Sequence, residues 1–286
     1  MMIVISGSAI TYDGNQLPGN FPTWLLENNT RLAGVYARDN AFIGPLKLPS
    51  SSHLHLETID VSNNKLNGHI PANMSLVFPK LALLNMSHNF LEGPIPSKIS
   101  GVHVSLLDLS HNFLSGGVPS DLAIGSPSLT YLRLSNNSNN FSGEIPRRIR
   151  DNTRLLQLDL SKNHLEGSIP AEICKLKLIN VLAISENRLS GFIPSCVSSL
   201  PLEHIHLEKI NWPPDTFSNL HEIESLDLSY NSLNGSIPVV LLELNSLAIF
   251  SVAYNNLSGA VLALKLNSEL LTKAAEGILF FVGFIH

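Results

Sequence analysis

The residues of this chain that could hold a metal ion lie in one short segment. His204 and His206 are two positions apart on a predicted strand, so their side chains leave the same face together with Glu208. Two imidazoles and a carboxylate are ligands that Zn²⁺ accepts. The surrounding sequence is a damaged repeat in which incidental surface histidines are expected, so we predict no metal site. His88 and His111 are likewise expected to be solvated.

Serine is abundant, but it does not occur in the arrangements that nucleophilic catalysis requires. The sequence has no Gly-x-Ser-x-Gly elbow and no converging Ser/His/Asp set. It also lacks a Gly-rich phosphate loop and a kinase signature. Most serines follow the recurring phrase LxLS, which marks them as structural. The sequence therefore predicts a protein that is not an enzyme and needs no cofactor.

Composition favours a folded protein with a large core. The chain has 286 residues, of which 44% are hydrophobic and 14% are charged, so disorder is not expected. Its net charge is −5, and its basic residues are scattered apart from a small cluster at residues 146–150. Nucleic-acid binding needs a dense basic face, so nucleic acid is not an expected partner.

An asparagine recurs along the chain at nearly constant spacing. Successive gaps are 25, 24, 25, 23, 25, 26, 24, 44 and 24 residues, and the gap of 44 hides one degenerate unit in which Ile210 replaces the asparagine. A period near 24 is the signature of a solenoid. The recurring residues are Asn15, Asn40, Asn64, Asn89, Asn112, Asn137, Asn163, Asn187, Asn231 and Asn255.

Each unit reads L-x-x-L-x-L-x-x-N-x-L-x-G-x-I-P, as in LLDLSHNFLSGGVP, residues 106–119. The x-L-x-L part alternates and predicts a short strand with its aliphatic residues inward. The asparagine follows where the chain turns inward, and its amide can pair with backbone groups that would otherwise lack partners. We therefore predict a structural ladder of Asn64, Asn89, Asn112, Asn137, Asn163, Asn187, Asn231 and Asn255.

The second half of each unit predicts a different backbone. Gly116 permits a conformation that other residues resist, and Pro119 ends sheet pairing. We expect a short second strand near the Gly-x-Ile step and then a helical or 3₁₀ segment, as in residues 171–178. The predicted fold is a solenoid with a curved parallel sheet on its concave face and short helices on its convex side.

The repeats divide the chain into three parts. Residues 1–13 form a partial N-terminal segment without a proper cap, residues 14–260 hold about ten units with damage at 202–217, and residues 261–286 form an apolar tail. The tail is too short and too interrupted by charge to be a clear membrane span. We expect it to cover the end of the solenoid or to be disordered. The N-terminus is a poor signal peptide.

The outward strand positions form two columns that could bind a ligand. Tyr131 and Arg133 share one strand and are residue types that often dominate binding energy. Leu83 and Leu106 are expected to form an exposed apolar pair. The alternative is that the aspartates are solvated consensus residues without a ligand. The candidate ligand-binding residues are Tyr131, Arg133, Asp108, Asp159, Leu83 and Leu106.

The repeats resemble the plant-type extracellular leucine-rich repeat, which is marked by LxGxIP. That phrase stands at residues 66–71, 91–96, 165–170, 189–194 and 233–238. The phrases at 21–32, 193–197, 217–238 and 250–259 are most similar to plant receptor-like proteins. This resemblance implies non-catalytic recognition of a peptide, protein or microbial ligand at the extracellular face of the plasma membrane, with signalling through a leucine-rich-repeat receptor kinase in defence or development.

Two other functions are compatible with the same sequence. A secreted repeat protein could inhibit a cell-wall-degrading enzyme, and the absence of a clear span favours this function. A truncated receptor fragment could be non-functional and secreted or mislocalised. The departures from the receptor pattern favour a truncated or alternatively spliced chain.

Cysteine and asparagine positions bear on the compartment. Cys174 and Cys196 are almost one period apart and are expected on neighbouring units; the resemblance favours a disulfide between them, and two free thiols are the alternative. A high density of N-x-S/T sequons fits an exported glycoprotein. A glycan on Asn85 would block the concave sheet. The seven sequons are at Asn28, Asn73, Asn85, Asn136, Asn140, Asn234 and Asn256.

Overall fold

The computed structural model describes residues 8–97, 99, 103–120, 122, 127–138, 140–151, 153–207, 220–231, 234–235, 237, 241 and 244–258. The predicted tail, the residue Ile210 and most of the damaged segment lie outside this part of the chain. In chain order the described strands are β1 (Ala9–Thr11), β2 (Pro18–Asn20), β3 (Gly34–Tyr36), β4 (Ala41–Gly44), β5 (Thr58–Asp60), β6 (Lys65–His69), β7 (Leu83–Asn85), β8 (Phe90–Pro94), β9 (Leu106–Asp108), β10 (Phe113–Ser115), β11 (Tyr131–Arg133), β12 (Ser142–Gly143), β13 (Gln157–Asp159), β14 (His164–Gly167), β15 (Val181–Ala183), β16 (Arg188–Leu189), β17 (His204–His206), β18 (Ser225–Asp227), β19 (Asn234–Gly235), β20 (Ile249–Ser251) and β21 (Asn256–Leu257).

The first strand of each unit joins one long parallel sheet. Among the described residues this concave sheet has eleven strands in the order β1-β3-β5-β7-β9-β11-β13-β15-β17-β18-β20. Its middle column is buried and continuous, since Leu84 pairs with Leu107 and Leu107 pairs with Leu132. Each such side chain contributes about 1.5–3 kcal/mol only when a neighbouring unit covers it. The predicted leucine-rich-repeat solenoid is confirmed.

The second strands of the described units form smaller sheets beside the first. Five of them pair in the order β10-β8-β6-β4-β2, three as β12-β14-β16, and β19 pairs with β21. Short helices follow the second strands, as the sequence predicts for the segment after the Gly-x-Ile step. They are α1 (Trp24–Asn28), α2 (Met74–Val77) and the 3₁₀ helices Arg147–Asp151, Ala171–Lys175 and Ser195–Ser199.

The concave sheet begins earlier than the sequence indicated. We placed the first repeat at residue 14, but β1 already pairs with β3 from Ala9 to Thr11. The strand precedes the asparagine of its unit, Asn15, so the unit starts before the residue that identifies it. The strand was missed because its outward positions carry Ala and Thr and its only buried residue is Ile10.

The recurring asparagines tie neighbouring units together through backbone groups. The Nδ2 group of Asn112 donates to the carbonyls of Leu109 at 3.2 Å and Ser110 at 3.0 Å in its own turn. It also donates to Met86 of the preceding unit at 3.0 Å, and its Oδ1 accepts from the N–H of Leu91 at 3.0 Å. Asn112 is only 2% exposed, so water cannot replace these bonds. The ladder therefore satisfies the inward turn.

The residue before each asparagine adopts a left-handed backbone conformation. Its φ is 53° at His88, 57° at Lys162 and 55° at Tyr230, which are residue types that lose about 1–2 kcal/mol there. The conformation points the backbone N–H along the solenoid, and that of His88 donates to the Ser110 carbonyl of the next unit at 3.0 Å. The side chains of this position form a column that we call the rim.

A disulfide joins two neighbouring units on the convex side. Cys174 and Cys196 lie in the 3₁₀ helices Ala171–Lys175 and Ser195–Ser199, and their Cα atoms are 5.8 Å apart. The bond closes a loop with a sequence separation of 22 residues. A cross-link of this loop size restricts the unfolded chain and contributes about 3 kcal/mol.

We expect replacement of Asn112 by alanine to lower the free energy of unfolding by about 1–3 kcal/mol. The change leaves the buried Leu91 N–H without its acceptor, and an unpaired buried group costs about 1–3 kcal/mol. The carbonyls that lose the Asn112 amide each keep another donor, from Asn89, Asn137 or His88. Urea denaturation measures the loss. Asn67→Ala is the control, because Asn67 is exposed on β6 and should change stability by less than about 0.5 kcal/mol.

Asn163 provides a graded comparison for the same experiment. Its Nδ2 makes the ladder bonds, but its buried Oδ1 has no hydrogen-bond partner. Asn163→Ala therefore strands fewer groups and should cost less than Asn112→Ala. Equal losses at the two positions would show that cavity formation, and not the ladder bonds, sets the cost.

His53 is a buried imidazole in an otherwise apolar column. It is 1% exposed and lies three residues before Leu56, as Phe78 does before Leu81. Its Nε2 contacts the carbonyl of Asn29 at 3.0 Å, while its Nδ1 has no partner. Burial lowers the pKa of His53, the Asn29 carbonyl opposes this shift, and the nearby His55 adds to it.

We expect His53→Leu to stabilise the protein more at pH 5 than at pH 7.5. In the unfolded chain His53 gains a proton as the pH falls below about 6.5, whereas in the folded protein its lowered pKa delays protonation. The free energy of unfolding therefore decreases as the pH falls from about 6.5 to the pKa of His53 in the folded protein. Leucine removes this loss. Thermal melts at the two pH values test it, with the exposed His103→Leu as control. An equal gain at both pH values would contradict the titration argument.

Candidate functional site

The concave sheet brings the six candidate ligand-binding residues onto four neighbouring strands. Leu83 pairs with Leu106, and Leu106 pairs with Tyr131, so the three form one continuous row. Arg133 lies between Asp108 and Asp159 in the parallel row. Leu83, Leu106 and Tyr131 are each half-buried, which is less exposure than we expected for the leucine pair, because their neighbours in the row cover them.

Arg133 is held in place by groups from both adjacent units. Its Nη2 donates to Oε1 of Gln157 at 2.9 Å, and its Nη1 lies 3.5 Å from Oδ2 of Asp108. The guanidinium carbon is 5.9 Å from the centre of the Tyr131 ring, within reach of a cation–π interaction. The side chain remains 38% exposed. A ligand would therefore meet a positive group whose orientation is already fixed.

Asp108 has a structural task that the sequence interpretation missed. We expected the aspartates of this column to be solvated or to face a ligand, but Asp108 is 7% exposed. Its Oδ1 accepts from the backbone N–H of Ser110 at 3.1 Å and from the Ser110 hydroxyl at 2.6 Å. The Asp-x-Ser spacing within LDLS was the available signal, because an aspartate commonly accepts from the backbone two residues later.

The same contact recurs along the column. Asp159 accepts from the N–H and hydroxyl of Ser161, and Asn85 accepts from those of Ser87 through its amide oxygen. One oxygen of each side chain is thus committed to the turn that follows its strand. Ligand selectivity on this face must therefore come mainly from residues outside this contact, such as Tyr131, Arg133 and Gln157.

The histidines of the damaged repeat lie on the concave sheet beside an aspartate. Nδ1 of His206 is 3.8 Å from Oδ2 of Asp227. Partial burial raises the pKa of the Asp227 carboxyl, but the contacts with His206 and with the hydroxyl and N–H of Ser229 outweigh it and hold the pKa at about 2. Within the described residues no group of three ligands could hold a metal ion, and Glu208 lies outside them.

The rim histidines are exposed but stacked on each other. The rings of His88 and His111 are 3.9 Å apart with an interplanar angle of 12°, and Asn136 Nδ2 lies 2.7 Å from Nδ1 of His111. Partial burial lowers the pKa of His111, and the neighbouring His88 lowers it further. Both histidines are exposed, as predicted, but their equivalent positions in adjacent units also bring the two rings into contact, which the prediction did not include.

The sequons differ in how free their asparagines are. Asn28, Asn73, Asn140 and Asn256 are exposed. Asn85 is half-buried on β7 with its amide oxygen bonded to Ser87, and Asn136 contacts His111. Asn234 lies in β19. The described helices all lack the length and apolar character that a bilayer crossing requires.

Comparison with known sequences identifies the repeat. The family profile described as Leucine Rich Repeat matches residues 55–76, 103–123, 128–152, 154–176 and 222–244. Each matched stretch includes one strand of the concave sheet.

Similar proteins are plant receptors. Cuscuta receptor 1 of Solanum lycopersicum is 56% identical over 246 residues, which are 70% of this chain and 22% of that protein. Receptor-like protein 13 of Arabidopsis thaliana is 36% identical over 142 residues, which are 49% of this chain and 13% of that protein. The chain thus spans about a fifth or less of these relatives.

A solved receptor structure shares the fold. The Arabidopsis receptor kinase HAESA, solved with a peptide hormone and a co-receptor, superposes with a TM-score of 0.78 at 27% identity. The match covers 87% of this chain and 42% of the HAESA chain. The relatives and this structure support ligand recognition as the general role of such repeats.

We expect Asp159→Ala to lower the free energy of unfolding by about 1–2 kcal/mol, whereas Asp159→Asn should be nearly neutral. Alanine leaves the Ser161 N–H and hydroxyl without their acceptor, while an asparagine oxygen can replace the carboxylate, as Asn85 does in β7. Urea denaturation of both variants measures the difference. A large loss in Asp159→Asn would mean that the charge, and not the acceptor, is required.

Proposed function

Because this chain carries the leucine-rich repeats of plant receptor-like proteins, we propose that it is the ligand-recognising part of a cell-surface receptor-like protein. Its concave sheet binds a peptide or protein ligand around Tyr131 and Arg133. The chain takes no part in catalysis. Its contribution to signalling is to present a rigid surface on which the ligand is selected.

One observation carries this proposal: Arg133 is partly exposed, charged and held between Asp108 and Gln157, next to the apolar row that ends at Tyr131. A preorganised side chain loses little conformational entropy when a ligand binds. The neighbouring Leu83 and Leu106 add apolar area on the same surface. This combination of an apolar row and a fixed cation suits a peptide that offers an apolar side chain beside a hydrogen-bond acceptor or an anion.

The partners follow from the same comparison. HAESA was solved with a peptide hormone and a co-receptor. By analogy this chain binds a peptide or protein ligand and acts with a receptor kinase that carries leucine-rich repeats. The Cys174–Cys196 disulfide and the exposed sequon asparagines support an extracellular location, because disulfides persist in oxidising compartments.

The first experiment is a binding screen followed by a paired substitution. The purified chain is immobilised and tested against synthetic peptides and cell-wall fragments. For any ligand found, Tyr131→Ala combined with Arg133→Ala should weaken binding by at least ~30-fold, because central aromatic and arginine residues commonly contribute 2 kcal/mol or more each. Calorimetry or surface plasmon resonance gives the dissociation constants.

Arg147→Ala is the matched control for this substitution. Arg147 is 70% exposed in the 3₁₀ helix on the convex side, where it pairs with Glu172, so its loss should leave binding unchanged. Circular dichroism verifies that every variant is folded. Unchanged binding in the double variant would remove the centre of the concave sheet as the ligand site.

A further inference from the structure

Two tyrosines stack on each other in the rim column. Tyr230 and Tyr254 directly precede the ladder residues Asn231 and Asn255. Their ring centres are 4.4 Å apart and the rings are inclined by only 15°. Tyr230 is 54% exposed and Tyr254 is 72% exposed, so solvent reaches both phenols.

The ladder fixes the separation of these two rings. Asn231 donates to the Leu228 carbonyl at 2.7 Å, and Asn255 donates to the same carbonyl at 2.9 Å. The N–H of Tyr230 donates to the Ala253 carbonyl at 2.8 Å. The two side chains therefore leave backbones that are held in register, and they stay close without needing each other.

The backbone does not favour tyrosine at either position. The φ values are 55° at Tyr230 and 54° at Tyr254, a region that asparagine or glycine adopts more readily than an aromatic residue. The repeat imposes this conformation on each residue that precedes a ladder asparagine, so the backbone does not explain why two neighbouring positions carry tyrosine. Each of the two side chains carries a phenol ring that stacks on the phenol ring of the neighbouring unit.

We propose that Tyr230 and Tyr254 are a site of oxidative cross-linking. Hydrogen peroxide, activated by a haem peroxidase, removes one electron and one proton from each phenol. The two phenoxyl radicals form a carbon–carbon bond between ring positions ortho to the oxygens, and the two ring protons return to the oxygens. The pair loses two hydrogen atoms in total, and one peroxide is reduced to two water molecules.

The stacked arrangement favours this reaction over others. Because the ring centres are 4.4 Å apart and the ring planes are inclined by only 15°, the two radicals can couple without diffusing. Within the part of the chain that the structure describes, no other two tyrosines are stacked, and Tyr12, Tyr36 and Tyr131 are half-buried. Coupling should therefore be selective for one pair.

The product would join neighbouring repeats as the disulfide does. Cys174–Cys196 links units across 22 residues, and Tyr230 and Tyr254 are 24 residues apart by their numbering. A covalent bond across a loop of this size restricts the unfolded chain. The cross-linked protein should consequently melt at a higher temperature than the untreated protein.

The test treats the dilute purified chain with peroxidase and a limiting amount of hydrogen peroxide. Peptide mapping should reveal one linked pair of peptides containing Tyr230 and Tyr254, lighter than their sum by two hydrogen atoms. The biaryl product is fluorescent, which gives a second readout. Tyr254→Phe keeps the stacked ring but should abolish both signals, whereas Tyr131→Phe should leave them unchanged.

Four outcomes would overturn the proposal. Linked peptides could be absent although peroxide is consumed, or they could join other tyrosines or two separate chains. A linked Tyr230–Tyr254 pair without biaryl fluorescence would be an ether and would contradict the carbon–carbon bond. Circular dichroism before treatment confirms that the Tyr254→Phe variant is folded, so the loss of signal reports chemistry and not unfolding.

Discussion

A solenoid must turn its chain inward once per repeat, and each turn carries polar backbone groups away from water. The asparagine amide meets this constraint because it offers two donor hydrogens and an acceptor oxygen from one short side chain. At Asn112 these groups pair with two units at once. The same side chain thus pairs the polar groups of the turn and links neighbouring units. The ladder thereby helps to set the register of the strands in the concave sheet.

Much of the fold could be predicted because the repeat period determines which residues of neighbouring strands pair. A period near 24 residues aligns Leu84 with Leu107, and these residues pair in the sheet. The start of the sheet was predicted too late, since Ile10 alone marks the first strand and alternation cannot be recognised from one buried residue. Spacing aligns His53 with the core residue Phe78, but the residue type does not show that this imidazole is buried, because histidine occurs both in cores and on surfaces.

The candidate site was predictable as a set of positions but not as a set of contacts. Counting places Arg133 between Asp108 and Asp159, and the pairing agrees. Counting does not reveal that the Ser110 hydroxyl donates a hydrogen bond to Asp108, or that the Arg133 guanidinium donates one to Gln157. Those contacts depend on side-chain rotamers, which the repeat period leaves open. Whether these residues bind a ligand remains a prediction.

The rim shows how one backbone requirement creates a second surface. The left-handed residue before an asparagine donates its N–H to the next unit, as His88, Lys162 and Tyr230 do, and its side chain points outward. Stacking then brings equal side chains together, as in His88 with His111 and Tyr230 with Tyr254. Opposite charges meet there as well, since Lys162 Nζ is 3.4 Å from Glu186. A repeat that tolerates backbone strain at one position thereby gains a row of side chains whose chemistry can change without disturbing the core or the ladder.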